Sequence, residues 1–594
     1  MPPGHDGSDG QDVAGSDTLR SWIVLGVPAL IVLVASWIYR WVQDDAYINF
    51  RIIGNLLAGH GPVFNIGERV EAYSDPLWLF LLALAHAVLP WASLEWTSAI
   101  LGIVCAVAGV LFGGRAIQRL AGSRGAGTVV PIGLFVFSVV AGVWEYVTGG
   151  LEMGMVFFWI GLSFWLLVRV EHMRTEALRA AVVMGLGPLI RPELVLESAV
   201  FLGTLVVVIA APNWKGPTRP TRRYAIPLAS AAALPVIYEL WRMAYFAMFV
   251  SNTALAKSAG SAWWGQGFTY LWNFVAPYTL WLPFLLIVPL MAPRILRWWR
   301  AGDRIGVLVL ASPIVAGLVD TVYVVHVGGD YQHARLLLPA FFAICVALYV
   351  EVRQLRTIAV VPVVGIAVWS LACIGWLRFD PEHGYFRTIH WISNNRDTWF
   401  TVLDGKSPMD LSSFSTPTAP AVYYRSVDHT ASVQGRQEMI IGTNPFFPLS
   451  GQVVAAASTN LPTHVVVFMI EIGEQGLISG PDVYVFDAQS LANPIGSHTV
   501  VARGVRPGGK VVDPVWMIAR FGTPGEPIPA SLASPASIAA ARTALGCGDL
   551  AAYLHAITSP LTPSRAWSDV IHAFTYTTLH FSGNPVVAKN QLCR

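Results

Sequence analysis

Between residues 21 and 379 the sequence is a succession of long apolar runs separated by short basic or Gly- and Pro-containing linkers. In hydrocarbon every backbone N–H and C=O must be satisfied within the segment, so such a chain folds as a bundle of spanning helices. A spanning helix needs about 20 apolar residues. The runs near 21–39, 96–114, 128–146, 151–169, 177–191, 194–211, 224–246, 268–292, 304–327, 334–352 and 357–378 therefore predict eleven spans. Only 12% of the residues are charged, against about 25% in soluble domains. A net charge of +2 with no basic face gives no reason to expect a nucleic acid partner. No small-residue cleavage site follows residues 21–39, which read as a retained anchor. Residues 1–20, rich in Gly, Asp and Ser at their start, read as a disordered cytoplasmic N-terminus.

The basic linkers orient the bundle. Arg115 to Arg124, Arg169 to Arg179, Lys215 to Arg223, Arg294 to Arg304 and Arg353 to Arg356 all fall on one side in this count, and the positive-inside rule makes that side cytoplasmic. The other side collects the first outer loop (40–95), TGGLEMGM, IRPEL, SNTALAK, GGDYQHAR and the tail from Asp380. The apolar stretch 75–90 has about fifteen residues between its prolines, roughly 22 Å of helix against a core of about 30 Å. It is expected to be re-entrant or interfacial; if it spans, there are twelve crossings.

Residues 380–594 read as a periplasmic α+β domain, with strands at THVVVFMIEIG, DVYVFDA, HTVVARG and VWMIARFG and helices at 534–545, 548–557 and 564–578. Cys105, Cys345 and Cys373 lie in apolar runs and read as packing residues. Cys547 and Cys593 lie in the tail, either as a disulfide permitted by an oxidising compartment or as two free thiols.

The outward polar residues carry the chemistry. Asp44 and Asp45 stand just beyond the first span, where acids can hold a metal or take a proton from a hydroxyl without being buried in lipid. The turn at Gly59, Gly61 and Pro62 folds the loop back, which would bring Glu68 and Glu71 toward the aspartates; alternatively Glu68, Arg69 and Glu71 form a local ion-pair set. Arg191 and Glu193 in LIRPEL form an ion pair or present a guanidinium to an anionic phosphate. Lys257 and Arg335 are two more cations near the membrane plane, the lysine alternatively a snorkelling residue. Asp330 and His333, after Gly328 and Gly329, are an oxygen and nitrogen pair suited to a divalent ion such as Mg or Mn. Asp44, Asp45 and Asp330 are the candidate metal ligands.

The stretches DDAYI, VFNIGERVEAYSDPLW, TGGLEMGM, RPE, SNTALAK and GGDYQHARLLLP, in this order, resemble the polyprenyl-phosphate-sugar-dependent glycosyltransferases of the GT-C fold. With GCGDLAAYLHAITSPLTPSRAWSDVIHAF in the tail, the resemblance narrows to the AftB-type terminal arabinofuranosyltransferases of mycobacterial-type cell walls. It implies a GT-C catalytic domain over 21–379 and acidic catalytic residues at Asp44 and Asp45. The implied donor is decaprenyl-phosphoryl-β-D-arabinofuranose, and the implied acceptor is the arabinan of arabinogalactan and lipoarabinomannan, extended by a β(1→2) linkage at the plasma membrane. The tail would engage arabinan. A β donor giving a β product means net retention, through an aspartate nucleophile or by attack on the face from which the phosphate departs. Rival readings are a GT-C transferase of another polyprenyl-linked sugar and a lipid-linked-sugar transporter, the latter disfavoured because the polar groups sit at helix ends and the two halves do not echo each other.

Overall fold

The computed structural model describes residues 9–594 except 173–175, 213, 215, 218, 259–260, 352–359, 380–391, 404, 416–419, 443–451, 459–462 and 501–508. The first eight residues, Arg174, Lys215, Arg353, Arg356, the start of the last expected span, the tail boundary at Asp380 and the end of the HTVVARG strand lie outside the described residues. The chain forms two compact units: Met1–Trp41, Ser98–Pro235 and Trp263–Thr398 make one, and Val42–Thr97, Val236–Ala262 and Trp399–Arg594 the other.

Seven described helices are long and apolar enough to cross a membrane: Ser21–Ile38, Leu94–Gly122, Met153–Val170, Pro192–Ala210, Thr221–Phe246, Trp281–Arg300 and Arg304–Val327. Pro76–Val88, Arg335–Val346 and Val360–Gly375 are apolar but shorter. The described residues thus do not contain eleven helices of spanning length. The run 128–146 is instead two short helices, Ile132–Ser138 and Ala141–Val147, and residues 136–150 are all buried. The run 177–191 breaks between Glu176–Gly185 and Gly187–Ile190, and 268–292 breaks between Trp264–Val275 and Trp281–Arg300. An apolar run records only that its side chains leave water. Broken helices are tolerated at membrane depth where surrounding protein satisfies the freed backbone groups.

In the first unit, Leu94–Gly122 and Met153–His172 cross backbone to backbone. A Cβ on Gly154 would lie 2.1 Å from the Gly102 carbonyl oxygen and one on Gly161 2.2 Å from that of Gly109, the close approach that small residues permit between membrane helices.

The second unit is α+β. Its four-stranded sheet runs in the order Gln452–Ala456, Glu438–Gly442, Val465–Met469, Val483–Asp487, antiparallel for the first pair and parallel for the others. Both parallel strands Val465–Met469 and Val483–Asp487 are buried at every position, as expected of apolar runs covered on both faces. The expected strand VWMIARFG is instead the helix Val515–Phe521. Its residues Val515 to Ala519 and Phe521 are all buried, so a short apolar run carried no period by which helix and strand could be told apart. Helices Pro535–Leu545 and Pro563–Thr578 begin at Ser534 and Thr562, whose hydroxyls accept from the N–H groups of Ser537 and Arg565. Cys547 and Cys593 are disulfide-bonded, with Cα atoms 5.1 Å apart, which ties the last helix, Pro585–Leu592, to the start of Gly548–Thr558.

Candidate active site

The Asp44–Leu57 helix starts after an extended Gln43 (φ −85°, ψ 158°), with Asp44 and Asp45 in its first turn. Carboxylates there complement the unpaired N–H groups of the helix N-terminus. Both are half-buried. The Asp44 carboxylate accepts a hydrogen bond from the Glu474 backbone N–H at 2.9 Å. A Cβ on Gly473 would lie 2.0 Å from both the Asp44 carbonyl oxygen and its Oδ1, so only glycine at that position lets the two segments meet. The Glu474 side chain is fully buried, and its Oε2 has no partner among the described residues. Burial pushes the Asp44 carboxyl up, helped by the charge of Asp45. Burial pushes Glu474 much further up, helped by the charge of Asp44. Two desolvated carboxyls side by side resist ionising together.

Arg51 holds this meeting in place. Its guanidinium donates to the carbonyls of Phe64 (2.9 Å), Gly476, Gly480 (3.0 Å) and Val483 (2.8 Å). Asn65 pairs with both the N–H (3.0 Å) and the C=O (2.9 Å) of Val485. The segment after Asp44 thereby caps the edge strand of the sheet, which would otherwise expose a row of unpaired backbone groups.

Glu68 and Glu71 do not form the set the sequence suggested. Glu68 is buried between Arg520 Nη2 (2.6 Å) and Tyr484 Oη (2.5 Å). Glu71 accepts from Tyr238 Oη (2.6 Å) and Arg242 Nε (2.7 Å). Arg69, placed between them in sequence, donates to the carbonyls of Tyr245, Ala556 and Ser559 and lies 3.7 Å from Asp569. The local ion-pair alternative fails too, because each charge finds a distant partner. Lys257 caps the short Asn252–Ala256 helix, which Asn252 anchors through the carbonyls of Ser490 (2.9 Å) and Leu491 (2.8 Å).

In the helix-rich unit, Arg191 lies between Glu193 Oε1 (2.5 Å) and Glu152 Oε1 (3.3 Å), and its Nη1 has no partner among the described residues. Arg335 Nε donates to Asp330 Oδ2 at 2.7 Å. His333 contacts Asn273 Oδ1 (2.6 Å) and Tyr278 Oη (3.2 Å) and stacks on Phe379 at 4.3 Å. Burial pushes its imidazole down to about 3, so it is neutral. These partners occupy the two residues proposed as an oxygen and nitrogen ligand pair. No group of three His, Cys, Asp or Glu side chains suited to a metal ion exists among the described residues.

Sequence reasoning missed Glu474, whose only signal was an acid beside glycines after an apolar strand. It also missed Glu197 and Asp320, fully buried acids in helices of spanning length whose carboxylate oxygens have no partner among the described residues. Their signal was available, since an ionisable residue within an apolar run is costly and marks function by default. Arg378 and Arg396, which both engage Tyr39, through its hydroxyl (2.7 Å) and its carbonyl (3.0 Å), were likewise passed over.

The model of the AftB family C-terminal domain matches residues 449–591. A protein of Mycobacterium tuberculosis named terminal beta-(1->2)-arabinofuranosyltransferase is 29% identical, with 94% of each chain covered. A protein of the same name from Corynebacterium glutamicum is 28% identical, covering 98% of this chain and 88% of its own. The similarity thus runs nearly end to end. No solved structure matches the chain.

Proposed function

We propose that this chain is a membrane arabinofuranosyltransferase that places the terminal β(1→2)-linked arabinofuranose on cell-wall arabinan. The observation that carries the reading is the end-to-end similarity to two proteins of that printed name. The donor would be decaprenyl-phosphoryl-β-D-arabinofuranose, drawn from the lipid bilayer, and the acceptor the non-reducing ends of arabinogalactan and lipoarabinomannan. The active site and tail would face the periplasm. Two features support that placement: the loop bearing Asp44 and Asp45 shares one compact unit with the tail, and a disulfide in the tail suits an oxidising compartment.

Within this reading the two aspartates have different tasks. The Asp44 carboxylate is held by the Glu474 backbone N–H beside a second buried acid, which restricts it as a base or nucleophile. Asp45 is then the group that reacts, by taking the acceptor hydroxyl's proton as that oxygen attacks or as nucleophile in a double displacement that retains configuration. The departing polyprenyl phosphate is an anion, so cations preorganised beside it lower the barrier as its charge develops. Arg191 and Arg335 in the helix-rich unit, and Lys257 in the other, are each proposed for that role, Arg191 through the Nη1 that its two carboxylate partners leave over. Glu193 and Glu152 hold Arg191 in position, and Asp330 holds Arg335.

The test is reconstitution. Purified protein is incubated with synthetic decaprenyl-phosphoryl-arabinofuranose and a short arabinan, and the linkage formed is determined. A terminal β(1→2) product is expected. Transfer of another sugar in preference to arabinofuranose, or no product, sinks the reading.

A further inference from the structure

The Pro563–Thr578 helix buries one face against the described residues and leaves an apolar stripe on the opposite side exposed. Asp569, Ala573, Tyr576 and Thr577 are buried against the unit. At 3.6 residues per turn, Trp567, Ile571 and Phe574 stand on the opposite side in a single stripe. They are 68%, 59% and 65% exposed. A tryptophan, an isoleucine and a phenylalanine in register on a solvated helix form a patch that a soluble domain does not ordinarily leave uncovered.

What covers it is indicated by where the helix is attached. Phe249, itself 44% exposed, has its ring 6.2 Å from that of Phe574, and its N–H donates to Thr577 Oγ1 at 2.8 Å. Phe249 lies three residues beyond the end of Thr221–Phe246, one of the helices of spanning length. At 26 residues that helix is roughly 39 Å long against a hydrocarbon core of about 30 Å, so its ends reach the headgroup level. Val236, Ile237 and Leu240 on its last turns are also more than half exposed, so the protein leaves the apolar side of this helix uncovered. The stripe on Pro563–Thr578 therefore continues the apolar surface of a helix of spanning length, through Phe249, at the depth where Trp is favoured.

We propose that Pro563–Thr578 is an interfacial anchor that seats the C-terminal part of the chain on the membrane surface, its Trp567, Ile571 and Phe574 edge dipping into the headgroup and upper acyl region. Such helices lie in the plane of the membrane with the apolar face roughly 5–10 Å deep. Arg69 carries the anchor's position to the loop that follows the aspartates. It binds the carbonyls of Ala556 and Ser559, just before the helix, and approaches Asp569 within it. The inference is independent of which sugar is transferred.

The full-length protein is reconstituted in phosphatidylcholine bilayers with an environment-sensitive fluorophore on Ile571→Cys, on Phe574→Cys, or on Val433→Cys, an exposed position on the Pro420–Gln434 helix. The unsubstituted protein gives the labelling background of the other cysteines. Nitroxide placed at the headgroup or upper chain of the lipid should quench Ile571→Cys and Phe574→Cys several-fold more than Val433→Cys, with blue-shifted emission. Equal quenching at all three sites overturns the proposal. So does quenching at none, with disulfide cross-linking between copies through Ile571→Cys, which would make the stripe a contact between two chains.

Discussion

The two units place their charges differently. In the helix-rich unit the cations singled out from the sequence find partners nearby in the chain, Arg191 with Glu193 and Arg335 with Asp330. In the other unit the charges of segment 42–97 reach across the chain: Arg51 to the carbonyls of 476, 480 and 483, Glu68 to Arg520, Arg69 to Asp569 and Glu71 to Arg242. The polar density of this loop is thus mainly the means by which it is sewn to the tail. A loop rich in acids is not an active site by virtue of its acids, and under the proposed function what this loop offers for chemistry is its first helical turn.

The sharpest way to break this contrast is at that turn. Asp45→Asn should lower transfer by roughly 10²–10⁴-fold while leaving the melting temperature unchanged, and Asp44→Asn should lower it by less. Near-normal turnover in both would remove the aspartates from the mechanism.

Glu68→Ala should do the opposite. It leaves the Arg520 guanidinium buried without its counter-charge, a loss of about 3–5 kcal/mol, measured by thermal unfolding. Transfer per folded molecule should persist. A variant that is stable but inactive would move Glu68 from structure to catalysis.

In the helix-rich unit, Arg191→Ala and Arg335→Ala should each weaken donor binding by about 1.5–3 kcal/mol if the guanidinium meets the phosphate. Isothermal titration with a short-chain polyprenyl phosphate reads this. Unchanged affinity in both would mean that the local ion pairs are all these residues make.

The smallest effect concerns Glu474. Its carboxyl and that of Asp44 are both raised in the folded state, so their contribution to stability is fully present below the ordinary carboxyl range and is lost as pH rises through the raised values. Glu474→Gln, which stays neutral, should flatten the fall in melting temperature between acid and neutral pH. The change is about 1.4 kcal/mol for each unit by which folded and unfolded values differ. An unaltered pH profile would show that the pair does not resist ionising together.

Hydropathy by itself determined that this chain is mostly helical, with several helices long and apolar enough to cross a membrane, because leaving water is a property of each side chain and survives in any fold. Local chemistry determined the helix start at Ser534 and offered the pair Arg191–Glu193, since their partners lie within a few residues. Only the tertiary structure decided that 128–146 is two buried half-helices, that VWMIARFG is a helix, and that Asp44 meets Glu474, 430 residues away. Those outcomes depend on which surfaces cover which, and on a glycine at 473 thin enough to let two backbones touch. Contacts at such separation leave no period, spacing or composition in the sequence between them.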